Sequence, residues 1–174
     1  MNSGDSRNVV DAYKGVPHEA IVAHLDTHPT GLEIAIENLE RDFNMGTIVR
    51  SANAFGVRTI HVIGRKQWNK RGAMMTDKYL HVLYYATIDE FMRAMQDKSL
   101  VAIDNVPGAV MLHDTTLPHN AVLLFGAEGP GISTELLARA AMTVAIEQFG
   151  STRSLNVGIA AGIAMYAWLQ QHYL

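Results

Sequence analysis

From residue 32 to the C-terminus, short apolar runs of strand length alternate with stretches whose apolar residues recur at helical spacing. The runs that we interpret as strands are LEIAIEN, TIHVIG, the start of YYATIDEFMRAMQD, LVAIDN, AVLLFG and MTVAIEQ. The helical stretches are residues 44–56, the rest of YYATIDEFMRAMQD, STELLARAA and residues 154–172. Parallel strands need helical crossovers of this kind. We therefore predict an α/β fold in which helices flank a mainly parallel sheet.

Residues 1–31 differ from the rest and are interpreted as an N-terminal extension to one domain over residues 32–174. The stretch MNSGDSRNVV is polar, and PHEAIVAHLDTH predicts a short helix between Pro17 and Pro29. A chain of 174 residues is long enough to bury a substantial core. It has no cysteine, which excludes a disulfide framework and a thiolate metal site.

The formal net charge of −3 argues against a protein whose whole surface binds nucleic acid, but it allows a local basic patch. We find no secretory signal and no apolar run long enough to span a bilayer, so we expect a cytoplasmic protein. His24 and His28 have the i, i+4 spacing of metal ligands. The only other ligand type beside them is Asp26, which is expected to point elsewhere, so we interpret both as surface residues and predict no metal site.

The loops after the strands are the places to look for a ligand site, since ligands of open parallel sheets bind beyond the carboxyl ends of the strands. The first loop and its helix read ENLERDFNMGTIVR. Asn38 is expected to fix a turn, and Gly46 to let a ligand approach closely. Arg50 lies off the apolar stripe of the helix, and its one-turn neighbours Thr47 and Ala54 leave room for a planar ligand or a phosphate.

The second loop, LLFGAEGPGIS, is rich in glycine and follows a fully apolar strand. It is neither a GxGxxG fingerprint nor a P-loop, yet its backbone groups are free to face a ligand. Glu128 is its one charged residue. The alternative is a tight strand-to-helix turn with Ser133 or Thr134 as the N-cap.

The third loop, IEQFGSTRSLNVGIAAG, leads into the last helix. Ser154 is a good N-cap for that helix, which places Asn156 in the first turn among apolar neighbours. An amide there needs hydrogen-bond partners, which a ligand or a facing loop would supply. Small residues form a surface for close packing on this helix, namely Gly158, Ala160, Ala161, Gly162 and Ala164.

A fourth feature is the basic stretch GRKQWNKRGAMMTDK, which contains five basic residues and one acid, Asp77. The basic residues are Arg65, Lys66, Lys70, Arg71 and Lys78. Trp68 lies among them, and basic side chains around an aromatic ring suit single-stranded or looped RNA. The alternative is a solvated loop without a ligand.

Together, the three loops resemble the three motifs of the SpoU (TrmH-like) branch of the SPOUT RNA methyltransferases. The matching stretches are NMGTIVRSANAFG, LLFGAEGPGIS and SLNVGIAAGIAMY, in the family's order, and the resemblance covers residue 32 to the C-terminus. It implies a C-terminal trefoil knot, S-adenosylmethionine as the methyl donor, a homodimer, and 2′-O-methylation of a ribose in tRNA or rRNA.

The resemblance also implies roles for individual residues. The catalytic positions are Arg50, Asn44, Glu128, Ser154 and Asn156. The methyl donor is expected to contact Leu124, Phe125, Gly126, Glu128, Gly129, Ile146, Gln148, Ser151, Ser154 and Leu155. Arg50 is expected to bind RNA together with Arg65, Lys66, Trp68, Lys70 and Arg71. Glu147 and Gln148 depart from the family's usual Pro-Met, and Gly158 replaces a common serine, which suggests a subgroup with its own substrate.

Other readings of the same residues remain. A non-catalytic RNA-binding protein of the same fold is the main alternative, and the presence of Arg50, Glu128 and Asn156 argues against it. A dehydrogenase-like nucleotide-binding domain would need a GxGxxG turn, which is absent. A related knotted enzyme that methylates a base nitrogen is a third possibility, and the motif set favours ribose over it.

Overall fold

The computed structural model describes residues 5–38, 44–127 and 129–174. The strands of this part of the chain are β1 (Glu33–Asn38), β2 (Thr59–Gly64), β3 (His81–Tyr85), β4 (Ser99–Ile103), β5 (Val110–Met111), β6 (Ala121–Phe125) and β7 (Met142–Ala145). The α-helices are α1 (His18–Asp26), α2 (Asn44–Ala54), α3 (Ile88–Ala94), α4 (Thr134–Arg139) and α5 (Val157–His172). Short 3-10 turns lie at Asp11–Tyr13, Arg71–Ala73, Thr76–Tyr79 and Leu112–Asp114.

The strands form one sheet in the order β3-β2-β1-β6-β4-β7-β5, and every pairing is parallel. In the middle of the sheet, Ile36 of β1 lies opposite Val62 of β2 on one side and Phe125 of β6 on the other. The prediction of an α/β fold with a parallel sheet is confirmed. A parallel sheet must be covered on both faces, which explains why its central strands are apolar at successive positions.

Two hydrophobic cores lie on the two faces of the sheet. Side chains alternate between faces along a strand, so Ile34 and Ile36 pack in one core while Ala35 packs in the other. Helices α2 and α5 cover the first face and contribute residues such as Ile48 and Trp168. Helices α3 and α4 cover the second face. Within the described residues, no helix is long and apolar enough to cross a bilayer.

The predicted helices and strands are found with small shifts at their ends. Strand β5 was not predicted, because two residues are too few to show a pattern. The last helix begins at Val157, three positions later than the predicted start at residue 154.

The N-terminal extension contains the predicted helix and packs against the end of the basic stretch. Ile21 of α1 is buried, and the ring of His18 lies 5.0 Å from the ring of Tyr79. The carboxylate of Asp26 accepts hydrogen bonds from Arg58 at 2.8 Å and pairs with His81 at 2.9 Å. The extension therefore supports the segment that leads into β3. The boundary at residue 31 remains a prediction.

Gly46 has a different role from the expected one. It is buried in the first turn of α2, and a Cβ built on it would lie 2.7 Å from the Ala73 nitrogen and 2.9 Å from the Gly72 Cα. The backbone that approaches Gly46 thus belongs to the 3-10 turn Arg71–Ala73 of the same chain, not to a ligand. This contact holds residues 65–78, which we call the basic segment, against α2.

We expect Gly46→Ala to lower the free energy of unfolding by about 1–3 kcal/mol, because the new methyl group would clash with backbone that cannot rotate away. Gly162→Ala in α5 is the matched control, since a Cβ there meets no heavy atom within 4 Å. That variant should be neutral or more stable by about 0.5–1 kcal/mol, the usual gain of alanine over glycine in a helix. Urea unfolding of both variants measures the difference, and equal effects would contradict the packing argument.

Candidate functional site

The carboxyl ends of the central strands lie at one edge of the sheet, because all the strands are parallel. Strand β4 separates β6 from β7, so the ends of β6 and β7 are about 10 Å apart. Three chain segments follow these ends: residues 104–109 after β4, residues 126–132 after β6, and residues 146–156 after β7. The second and third segments are the loops that the sequence singled out.

The loop after β6 folds back tightly on itself. Ala127 and Gly131 form an isolated antiparallel bridge, and a Cβ on Gly126 would lie 2.1 Å from the Gly131 carbonyl carbon. Gly129 has a φ of +101°, and its Cβ position faces open space. Only glycine fits at residue 126, because the Gly131 backbone occupies the place that a side chain would need.

Two acidic side chains hold the loop and the helix that follows it. The Ile132 amide donates to Oδ2 of Asp104 at 3.0 Å, and the Ser133 amide donates to Oε2 of Glu37 at 2.7 Å. Glu37 is buried at the end of β1. Neither residue was predicted from the sequence. The available signal was an acid near the end of an apolar strand, in EIAIEN and in LVAID.

Ser133 is the N-cap of α4, and it is one of the two residues that the sequence offered for this role. Its Oγ accepts a hydrogen bond from the Leu136 amide at 3.3 Å.

Asn156, not Ser154, is the N-cap of α5. Its Oδ1 accepts hydrogen bonds from the amides of Gly158 at 3.0 Å and Ile159 at 3.3 Å. Its Nδ2 donates to Oδ1 of Asn44 at 2.9 Å, at the start of α2. We expected Asn156 within the first turn, and this is wrong, because the residue lies just before the helix. Its hydrogen-bond partners are protein groups. Ser154 is exposed before the helix. The structure thus joins the first and third motifs through two amides.

Arg50 lies on the exposed side of α2, with Thr47 and Ala54 exposed one turn away on either side. Thr47 is closely flanked: Cβ positions built on Gly72 and Gly158 would lie 3.0 Å from its amide nitrogen and 3.1 Å from its Cγ2, respectively. The start of α2 is therefore held between the basic segment and α5. Within the described residues, no carboxylate pairs with the Arg50 guanidinium, so this cation is available to an anion. Glu128 lies outside the described residues.

The expected cofactor residues contribute in different ways. Leu124 and Phe125 are fully buried in the central strand β6, so no ligand touches them in this arrangement of the chain. Gln148 is half-buried, and its Oε1 is buried without a hydrogen-bond partner in the described part of the chain. Buried acceptors are rarely left unpaired, so this atom indicates a missing donor. The remaining positions range from half-buried to exposed, namely Ile146, Leu155, Gly129, Ser151 and Ser154.

Glu147, at the position where the resemblance implies a proline, is a partner of His113. It accepts a hydrogen bond from the His113 amide at 3.3 Å and pairs with the His113 ring. The hydrogen bond from the ring lowers the pKa of Glu147, and the same bond raises the pKa of His113. The pair ties the segment after β7 to the 3-10 turn Leu112–Asp114.

The basic segment is anchored at its start and is braced by an internal hydrogen bond. Nδ2 of Asn38, a buried residue, donates to the carbonyls of Arg65 at 2.5 Å and Gln67 at 3.2 Å. Near the other end, the Thr76 hydroxyl donates to the Ala73 carbonyl at 2.6 Å. The side chains of all five basic residues are exposed, and one of them, Lys70, pairs with Asp77 at 2.7 Å. Asn38 was expected to fix a turn. In the structure, its side chain fixes the start of a positively charged surface.

In the residues that the structure describes, no group of three or more His, Cys, Asp or Glu side chains is placed to hold a metal ion. His24, on α1, and His28, just after the helix ends, are both exposed.

Residues 31–166 match the SpoU rRNA Methylase family. A curated relative, the tRNA (guanosine(18)-2′-O)-methyltransferase of Borreliella burgdorferi, is 25% identical over 145 residues, which cover 80% of this chain. The chain spans 66% of that relative's length, just under two thirds.

Solved structures share the fold. The A. aeolicus TrmH/SpoU tRNA modifying enzyme superposes with a TM-score of 0.77 at 22% identity, covering 88% of this chain and 81% of that one. The AdoMet-bound rRNA methyltransferase from Sinorhizobium meliloti gives a TM-score of 0.74 at 27% identity, covering 86% of this chain and 60% of that one. The three site loops all fall inside the matched region.

Two variants of Asn156 separate its capping role from its link to α2. Asn156→Ala should lower the free energy of unfolding by about 1 kcal/mol, because the Gly158 and Ile159 amides lose their acceptor. Asn156→Ser should recover most of that loss, since serine caps helices well. The serine is too short to reach Asn44, so the contact between α2 and α5 should stay weakened. Urea unfolding measures the cap, and amide hydrogen exchange at the start of α2 measures the link. Equal protection of α2 in all three proteins would contradict the link.

The His113–Glu147 pair should make stability depend on pH. The raised pKa of His113 means that its stabilisation is complete below the ordinary value of 6.5 and is lost as the pH rises through the raised pKa. The lowered pKa of Glu147 means that its stabilisation is present above 4.5 and is lost as the pH falls. Thermal unfolding from about pH 5 to 9 should show an alkaline decline that His113→Gln reduces, because glutamine donates without titrating. An identical decline in both proteins would assign it to other groups.

Proposed function

The chain belongs to the SpoU rRNA Methylase family, and we propose that it is an RNA methyltransferase that transfers a methyl group from S-adenosylmethionine to a ribose 2′-hydroxyl of tRNA or rRNA. The observation that carries the proposal is the family match over residues 31–166, which includes all three site loops. The contact between the motif residues Asn44 and Asn156 supports it. So do the relative named as a tRNA 2′-O-methyltransferase and the AdoMet-bound structure of a similar protein.

The residues after β6 and β7 fit S-adenosylmethionine. We assign the strand end at Leu124, Phe125 and Gly126 to the wall of the pocket. Gly129 is exposed, with open space at its Cβ position, and the unpaired Oε1 of Gln148 would accept from an N–H donor of that ligand. We assign Ile146, Ser151, Ser154 and Leu155 to the same pocket. When bound, S-adenosylmethionine supplies a methyl group that is already activated by its sulfonium. The protein's own tasks are therefore positioning and proton handling.

Arg50 is assigned to the ribose. A ribose hydroxyl is a poor nucleophile until it loses its proton, and an arginine side chain stays protonated and so is not the base. We assign the guanidinium to the phosphate next to the target ribose, where it also stabilises the developing alkoxide, while the phosphate or a water molecule takes the proton. Its exposure and its lack of an acidic partner in the described residues support this role.

The other motif residues shape this site. Asn44 and Asn156 hold the start of α2, which carries Arg50, against α5. We assign Glu128 and Ser154 to the RNA end of the site on the family resemblance. The basic segment supplies the RNA-binding surface through Arg65, Lys66, Trp68, Lys70 and Arg71.

A homodimer is part of the proposal, and α5 offers a surface for it. Ile159, Ile163 and Tyr166 follow each other at helical spacing and are 57%, 40% and 46% exposed. Part of the small-residue surface that the sequence suggested for this contact packs inside the chain instead. Gly158 and two alanines are buried within the chain, where α5 packs on α2. The proposed dimer contact is therefore the apolar stripe beside them. Light scattering on dilute protein tests it.

We also propose that the C-terminal part of the chain forms a trefoil knot. Strand β7 lies beyond β4 in the sheet, whereas α5 packs on α2 and so returns past β4 and β6. Asn105, after β4, donates to the carbonyl of Arg153 on the returning segment at 3.3 Å. This path is the one that a threaded loop would need. A cytoplasmic location fits an enzyme that acts on tRNA or rRNA.

A non-catalytic RNA-binding protein of the same fold is the second candidate, favoured by the replacement of Pro-Met by Glu147 and Gln148. Calorimetric titration with S-adenosylmethionine and with its demethylated product separates the two. Saturable binding near one molecule per chain supports the methyltransferase. No binding of either compound to folded protein favours the alternative.

We expect Arg50→Ala to keep its affinity for S-adenosylmethionine and to lose about 100-fold in single-turnover methyl transfer to unmodified tRNA or rRNA, because one donor to the developing charge is gone. Arg50→Lys should recover little, since an ammonium lacks the guanidinium's fork of donors. Arg93→Ala is the matched control: this arginine is exposed on α3, on the opposite face of the sheet. An unchanged single-turnover rate for Arg50→Ala would rule out the assigned role.

A further inference from the structure

Trp68 and Tyr84 form an aromatic pair at the edge of the sheet. The Trp68 indole N–H donates to the Tyr84 hydroxyl at 3.4 Å. Tyr84 belongs to β3, which is the last strand of the sheet on its side, and the residue is 38% exposed. Large aromatic side chains left open to solvent often mark binding surfaces.

Two lysines flank the rings. Nζ of Lys66 lies 5.2 Å from the centre of the Tyr84 ring, and Nζ of Lys70 lies 5.4 Å from the centre of the Trp68 ring. Cation–π contacts at exposed sites are weak. Lys70 also pairs with Asp77 at 2.7 Å, and the ion pair of an exposed lysine is weak as well. A phosphate would therefore draw each ammonium group away and leave the ring face to a base. The pattern of ring and cation matches that of a nucleotide, in which each base adjoins a phosphate.

The pair is fixed before any ligand binds. Trp68 is half-buried and packs on the core beneath α2. The residues just before it are held by Asn38, which donates to the carbonyls of Arg65 and Gln67. A surface that is already ordered loses little conformational entropy on binding.

The pair also lies on the same face of the sheet as Arg50. Tyr84 is two residues after Val82, whose side chain packs in the core under α2, and side chains two apart share a face. The 3-10 turn Arg71–Ala73 of the basic segment contacts Gly46 of α2, one helical turn before Arg50. An RNA strand bound to this surface can thus continue toward the arginine.

We propose that Trp68 and Tyr84 are a stacking platform for unpaired bases of the substrate RNA, with Lys66 and Lys70 bound to the adjoining phosphates. The inference rests on the proposed function and specifies its substrate: an RNA with unpaired bases near the target ribose, because bases inside a duplex are stacked on their neighbours and leave no face free for a protein ring. The positive charge of the basic segment, in which Asp77 is the one acid, favours RNA over a protein strand on the free edge of β3.

Tryptophan fluorescence tests the platform directly. The chain has two tryptophans, and Trp168 is fully buried, so a base that stacks on the protein surface should quench Trp68 alone. The probes are a short oligouridylate and a ribose-phosphate oligomer of the same length without bases. We expect the oligouridylate to quench and to bind roughly 10-fold more tightly than the abasic oligomer.

Variants separate stacking from charge. Tyr84→Leu should weaken oligouridylate binding roughly 10-fold and leave the salt dependence unchanged, whereas Tyr84→Phe should bind like the parent. Lys66→Gln should instead lower the slope of binding against salt, because one phosphate contact is lost. Trp68→Phe should bind but show no quenching. Leu83→Ala is the control, as a neighbouring exposed residue on the other face of β3. Thermal unfolding confirms that each variant is folded.

The outcomes are distinct. Equal binding of both oligomers without quenching overturns the platform and leaves a purely electrostatic surface. Self-association that depends on Trp68 and Tyr84, with no effect of RNA on fluorescence, also overturns it and makes the surface a protein contact. If S-adenosylmethionine binds and methyl transfer depends on Arg50 while Tyr84→Leu has no effect, the inference fails and the proposed function stands. If oligouridylate quenches the fluorescence of a protein that does not bind S-adenosylmethionine, the stacking platform is supported and the proposed methyltransferase activity is contradicted.

Discussion

The hydrogen bond between Asn156 and Asn44 is the contact on which the site depends. Asn156 uses its oxygen to begin α5 and its amide nitrogen to hold the start of α2. One side chain therefore fixes the relation between the helix that carries Arg50 and the chain that returns after β7. Both helices also pack in the same core, so the hydrogen bonds of Asn156 set the position of the two helix starts and not the helices as a whole.

Close backbone packing extends this arrangement to the basic segment. Gly46 and Gly72 let a 3-10 turn lie directly against the first turn of α2, and Thr47 lies between that turn and α5. Together with Asn38 at its start, these contacts turn a charged loop into an ordered surface. Order matters for binding, because a flexible loop would lose conformational entropy when a ligand fixed it. The N-terminal extension adds support near Tyr79.

The departure from the family pattern at Glu147 has a structural explanation. A proline cannot pair with a histidine, whereas Glu147 bonds both the amide and the ring of His113. The segment beside the assigned cofactor pocket is thus held by an ion pair in place of a rigid ring. The neighbouring Gln148 keeps an unpaired, buried oxygen. The contacts of Glu147 within the chain therefore explain its role. The unpaired oxygen of Gln148 is left for a ligand.

The layers of the fold and most helix and strand positions follow from the sequence alone, because the period of apolar residues is a local property that burial enforces. The sequence also marked the loops that carry Arg50 and the glycines, since turn chemistry is local as well. It could not show which polar groups meet. Asn44 and Asn156 are 112 residues apart, His113 and Glu147 are 34 apart, and Trp68 and Tyr84 are 16 apart. Their pairing follows from the order of the strands, and only the tertiary structure decides that order.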